Sequence, residues 1–109
     1  MHEPERRHVI ERGAVLDIGG DVGALLVATG PELEGAEIEL YDVEGTYLMH
    51  TEVHARAVAG QRRYAGLFPA VTEGSYLLDT GDGARIPVAV TGGQVAKVSR
   101  LVPAGAAQS

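Results

Sequence analysis

Along Tyr47–Val58, alternation puts His50, Glu52, His54 and Arg56 on one face and Met49, Thr51, Val53 and Ala55 on the other, because successive side chains of an extended strand point to opposite sides. The second set is apolar or small and belongs in a core. The first lines up two imidazoles and a carboxylate, donor types that zinc accepts, beside a guanidinium. Spacing restricts that chemistry. At about 3.4 Å per residue, His50 and His54 stand roughly 13.6 Å apart on one strand, whereas zinc–nitrogen bonds are about 2.0–2.1 Å. A single ion therefore reaches His50 with Glu52, or Glu52 with His54, and needs further ligands from a neighbouring strand or chain. Without a metal, the same face is the polar exterior of a half-exposed sheet. Mixed side chains held on a rigid element also make it the expected place for a partner or ligand contact. His2 and His8 fall in a charged terminal stretch, and no pair stands in a helical H-E-x-x-H motif.

Other reactive types are sparse. There is no cysteine, which removes disulfides, thiolate ligands and cysteine nucleophiles together. The serines are Ser75, Ser99 and Ser109; none lies in the G-x-S-x-G elbow that exposes a hydrolase nucleophile. Glu32, Glu34, Glu37, Glu39, Asp42 and Glu44 form an acidic run without the compact D-x-D-x-D-G loop of calcium sites. That run reads as a solvated sheet edge, where charge discourages edge-to-edge aggregation.

Eight short strands must position these residues. They are expected over 15–18, 24–29, 36–42, 47–58, 62–68, 75–80, 86–91 and 94–101, with turn signals at Gly19-Gly20-Asp21, Gly30-Pro31, Glu44-Gly45, Asp82-Gly83 and Gly92-Gly93. No window sustains a helical period. Short strands arriving every 8–12 residues predict an all-β protein, an antiparallel β-sandwich of seven to eight strands. Pro87 lacks an N–H and should sit toward a sheet edge. Core candidates are Leu16, Ile18, Leu25, Val27, Ile38, Leu40, Val53, Phe68, Val71, Tyr76, Leu78, Val88 and Val90. Residues 1–12 read as a mobile mixed-charge arm, 13–102 as the domain, and 103–109 as a disordered tail with too little apolar surface to repay ordering.

The 109 residues allow one domain. A net charge of −6, with a single lysine, opposes binding of nucleic-acid backbones, which takes clustered cations. The longest unbroken apolar run, Ala24–Ala28, is too short to span a bilayer, and the N-terminus has no signal-peptide core. The expectation is a soluble, cytoplasmic protein that binds neither nucleic acid nor membrane.

Two stretches carry family resemblances. Val15-Leu16-Asp17-Ile18-Gly19-Gly20-Asp21-Val22-Gly23 resembles the first motif of class I S-adenosylmethionine-dependent methyltransferases, in which a strand runs through a glycine-rich turn into a helix. Asp21 stands where that motif has its middle glycine, and Gly30-Pro31 would interrupt the helix. The pattern F-x-x-V-x-x-G-x-Y-x-L from Phe68 to Leu78, followed by Val88-Ala89-Val90-Thr91-Gly92-Gly93, resembles the C-terminal half of prealbumin-like, carboxypeptidase-regulatory-type β-sandwiches. Residues 15–101 also look like a group of short bacterial proteins with a V-L-D-I-G-G start, an H-T-x-V-x-x-R strand and an F-P-x-x-x-x-G-x-Y corner, some of which carry a phospholipase label. This chain lacks the H-x-K-x-x-x-x-D signature of phospholipase D-type enzymes, and the disulfides of secreted phospholipase A2-type folds cannot form.

The resemblance to prealbumin-like modules implies a non-catalytic accessory or protein-interaction module without a cofactor. Its partner would be an unidentified protein that meets the His50, Glu52, His54 and Arg56 face, and open β-edges allow a homodimer. Alternatives are a metal-binding module using His50, Glu52 and His54, a methyltransferase-like fragment, and a phospholipase.

Overall fold

A computed structural model describes residues 7–11 and 14–100, with side chains from Leu16 onward. The expected tail at 103–109 and most of the expected arm lie outside the described residues. Ten strands follow in order: β1 Arg7–Glu11, β2 Ala14–Ile18, β3 Val22–Thr29, β4 Glu37–Asp42, β5 Tyr47–Glu52, β6 His54–Val58, β7 Gln61–Thr72, β8 Gly74–Asp79, β9 Arg85–Val90 and β10 Val95–Arg100. The only helix among the described residues is a single 3₁₀ turn, Pro31–Leu33. The all-β sandwich expected from alternation and turn spacing is the fold.

Two four-stranded sheets form it, one ordered β10-β3-β7-β6 and the other β5-β4-β8-β9; a third, β1–β2, is a hairpin. Every pairing is antiparallel except β10 with β3, which is parallel. Leu25, Val27, Phe68 and Val71 from the first sheet meet Ile38, Leu40, Leu78, Val88 and Val90 from the second, with Val53, in one buried cluster. Tyr76 is half-buried and packs against this cluster rather than inside it.

Leu16 and Ile18 belong elsewhere. With Ala24 they form a second buried cluster, against Leu67 and Val95. β2 therefore covers the far side of β3, which is buried on both faces over much of its length. A strand covered on both sides loses polar alternation, and that is why Ala24–Ala28 is apolar without a break.

The strand count rises from eight to ten for two reasons. β1 pairs with β2 from Arg7↔Ile18 to Glu11↔Ala14, within the stretch that composition assigns to the arm. The long strand expected over 47–58 divides at Val53, whose N–H donates to the Ala36 carbonyl (3.0 Å) and whose carbonyl accepts from Gly35 N–H (2.9 Å). Before that residue the chain pairs in the second sheet, after it in the first. Burial of Val53 at 1% exposure makes it the pivot of the crossing.

The Phe68–Tyr76 stretch is a second crossing. Leu25 faces Phe68 and Gly23 faces Val71, so Pro69 and Ala70 together oppose Ala24. That extra residue is a β-bulge, and it lets Phe68 and Val71, three apart, both face the core. Proline is tolerated there because a bulge interrupts the ladder. β7 then turns at Glu73 into β8 of the other sheet, and the Tyr76 hydroxyl donates back to the Thr72 carbonyl, a tyrosine corner. Pro87 lies in the edge strand β9, where its missing N–H costs no ladder bond.

Candidate functional site

The outer face of the second sheet is built from β4, β5, β8 and β9. Register sets Glu39 opposite His50 and Asp79, and Asp79 opposite Arg85. A bulge between β4 and β5 does the rest: Leu40 pairs with Met49 while the next residue, Tyr41, pairs with Tyr47. Leu48 is the extra residue, and it turns Tyr47 onto the same outer face as His50.

The side chains there form a connected array. The Tyr41 hydroxyl donates to Glu39 Oε1 at 2.6 Å. Tyr41 and Tyr47 meet edge to face with ring centroids 5.9 Å apart, and Tyr47 stacks on His50 at 6.5 Å. The Tyr47 hydroxyl lies 2.7 Å from His50 Nδ1. Arg85 covers the Tyr41 ring, its Cζ 3.7 Å from the centroid, and its Nε is 3.8 Å from Asp79 Oδ2. An exposed cation–π contact contributes about 0.5–1 kcal/mol and an aromatic pair about 0.5–1.5 kcal/mol, enough to hold these rings in one arrangement on the surface.

The β4–β5 turn fixes the end of the array. Asp42 Oδ1 accepts from both Glu44 and Thr46 N–H at 2.9 Å. Beside it stand the exposed large hydrophobic residues Val43, Tyr47 and Leu48, at 63%, 47% and 41% exposure. All three belong to this one hairpin, so exposed apolar side chains lie at the Tyr47 end of the tyrosine–histidine–arginine array.

Of the sequence-derived face, His50 joins this array. Glu52 and His54 approach across the sheet crossing, with Glu52 Oε1 3.7 Å from His54 Nε2, both exposed. Arg56 stands on β6 opposite Arg63 in the other sheet. The row is outward throughout, yet it is divided between two sheets and forms no single site. Among the described residues no group of three or more His, Cys, Asp or Glu is arranged to hold a metal ion. The acidic run is not at an edge either: Glu37 and Glu39 are on β4, a central strand.

The glycine-rich turn at Gly19–Val22 leads into β3, not into a helix. Gly19 and Val22 exchange both backbone hydrogen bonds, at 3.0 and 2.9 Å, and Gly20 has φ +60; this is a two-residue hairpin with glycine in its first central position. The helix that the methyltransferase motif requires is absent there. Among the described residues no helix is long and apolar enough to cross a membrane.

Spacing alone does not single out Tyr41, Tyr47 or Arg85. A signal existed for the tyrosines, which flank the Asp42–Gly45 turn; Arg85 reaches them only through the pairing of β4, β8 and β9.

The environment of Tyr41 predicts a titration. Its phenol is held above the usual value, first by the hydrogen bond to Glu39, then by desolvation and the Glu39 charge, with Asp79 adding to the rise and Arg85 opposing it. A raised pKa stabilises the fold fully below the ordinary phenol value of about 10, and that stability is lost as pH rises through the higher folded value. Burial also raises the Tyr76 phenol, so in an alkaline absorbance titration Glu39→Gln should bring part of the late tyrosinate step to lower pH, and Tyr41→Phe should remove that part and leave the contribution of Tyr76. An unchanged curve in Glu39→Gln would assign the step to another ring.

Comparison of this chain with protein-family models, curated proteins and solved structures finds no match.

Proposed function

We propose that this protein is a non-catalytic, prealbumin-like accessory module that binds another protein through the outer face of the β5-β4-β8-β9 sheet. The observation that carries the reading is the Tyr41, Tyr47, His50 and Arg85 array beside exposed Val43 and Leu48. Tyrosine and arginine are enriched at protein interfaces and dominate their energetics. Here rings and guanidinium are already ordered by one another, so less freedom is lost on docking. A cytoplasmic setting belongs to the proposal, supported by the cysteine-free composition, as does a homodimer through an unpaired edge.

The test is affinity capture from the protein's own cell extract, followed by reconstitution with each purified partner. Tyr47→Ala with Arg85→Ala removes only surface contacts, the ring pairs, the cation–π contact and the Asp79 ion pair, and should leave the protein folded. Affinity for the reconstituted partner should fall at least about tenfold, the loss of one hot-spot residue or more, while Glu32→Ala should leave it unchanged. A double variant that holds the partner as tightly as the parent would move the binding surface elsewhere.

A further inference from the structure

We infer that the β6 edge is a second protein-binding surface, which takes an acidic, extended peptide segment as an added strand. This extends the protein-interaction reading to a separate place on the molecule. From Val53 to Thr72 the chain contains Arg56, Arg62, Arg63 and His54 and no Asp or Glu, in a protein of net charge −6. Arg56 and Arg63 are direct cross-strand partners, and like charges so placed are destabilising. Among the described residues no carboxylate pairs with Arg56, Arg62 or Arg63; Arg63 bonds only to Gln61 Oε1, at 2.8 Å. Three uncompensated guanidiniums on one hairpin are an arrangement that an anionic partner relieves.

The backbone points to a strand rather than a compact anion. β6 is the last strand of its sheet, so one row of its N–H and C=O groups is unpaired, the template for β-augmentation. His54, Arg56 and Ala57 are exposed along it. Alternate carboxylates on an added strand would lie beside His54 and Arg56, with Arg63 one strand further in.

A second copy cannot supply that segment from its sandwich. The acidic strand β4 is paired on both sides. The strands with an open edge are β5, β6, β9 and β10 of the sandwich and β1 and β2 of the hairpin, and none carries more than one carboxylate: Glu52 in β5, Glu11 in β1 and Asp17 in β2. The occupant is therefore an acidic stretch of a different protein.

The probe is a fluorescein-labelled peptide of alternating glutamate and valine, followed by anisotropy at low and high salt. The expected results are saturable binding that weakens with salt, protection of the β6 amides from hydrogen exchange, and refusal of the same peptide with lysine for glutamate. A peptide with proline at alternate positions should bind poorly, since it cannot complete the ladder. Arg56→Ala with Arg63→Ala should weaken binding about tenfold, the scale of two exposed ion pairs, and should fold at least as stably as the parent because the opposed charges are gone. Arg56→Glu with Arg63→Glu should reverse the preference toward the lysine peptide.

Equal binding of the proline peptide, or β6 amides left unprotected, would overturn strand addition. Competition by inorganic polyphosphate with no preference among acidic peptides would make the hairpin a phosphate patch instead. Because Tyr47 and Arg85 are untouched in these variants, refusal of the acidic peptide with partner capture intact removes this inference alone.

Discussion

Phe68→Ala is expected to destabilise the protein by about 4 kcal/mol, the middle of the range for emptying a large buried aromatic position. Phe68 is the chain's one phenylalanine and is 1% exposed in the main core. Its buried companions Leu25, Val27, Ile38, Leu40, Val53, Val71, Leu78, Val88 and Val90 are all aliphatic, and strands held in two ladders cannot close around the space it leaves. Native domains are stable by about 5–15 kcal/mol, so the variant stands near the edge of unfolding. Denaturant unfolding should show a lower midpoint with an unchanged slope, which separates lost packing from a changed unfolded state. A loss below about 1 kcal/mol would mean that the position collapses freely, against the bulge-fixed geometry described above.

That bulge marks where sequence reasoning stops. Alternation locates the strands and the core, and the core candidates it picks out are buried apart from half-buried Tyr76. Alternation assumes an unbroken period of two. At Leu48 and at Pro69–Ala70 the ladder contains an extra residue, and each insertion makes residues three apart share a face. At β7 this is Phe68 with Val71, where the apolar types reveal the outcome. At β5 it is Tyr47 with His50, where nothing in the residue types does. A strictly alternating strand sends Tyr47 inward with Met49, which is why the tyrosine array was not legible. The division at Val53 was hidden for a related reason: the residue alternates correctly, and only the change of hydrogen-bonding partners, from Ala36 and Gly35 to β7, shows the crossing. Arg85 needed the full order of the sheet. The parallel β10–β3 pairing was equally invisible, since local turn chemistry specifies hairpins and not a pairing between strands so distant in sequence.

Gly92→Ala is expected to cost about 3 kcal/mol, the upper part of the range for overpacking. Three turns meet at this end of the sandwich. Gly93 N–H donates to the Val22 carbonyl (2.9 Å), Glu73 N–H to the Asp21 carbonyl (2.7 Å), and Gly92 N–H to Glu73 Oε1 (2.8 Å). A β-carbon at Gly92 would lie 2.0 Å from the Gly20 carbonyl oxygen and 2.9 Å from Asp21 Cα. Both are backbone atoms of a tight hairpin, so neither can swing aside as a flexible side chain would. The clash would push apart the β2–β3 and β9–β10 turns, and with them the register of β3 against β10. Gly81→Ala is the control, since its φ is +103 and its β-carbon would meet nothing within 4 Å. It should show only the cost of left-handed backbone, about 1–2 kcal/mol. Thermal unfolding of the two variants compares the effects, and a Gly92→Ala protein as stable as Gly81→Ala would mean the turns are not interlocked. The same contacts give the glycine-rich turn a packing role. S-adenosylmethionine should therefore leave the Tm unchanged at millimolar concentration. A ligand bound at 100 times its Kd adds about 2.7 kcal/mol to the folded state, so a saturable rise of that size would make the turn a binding site.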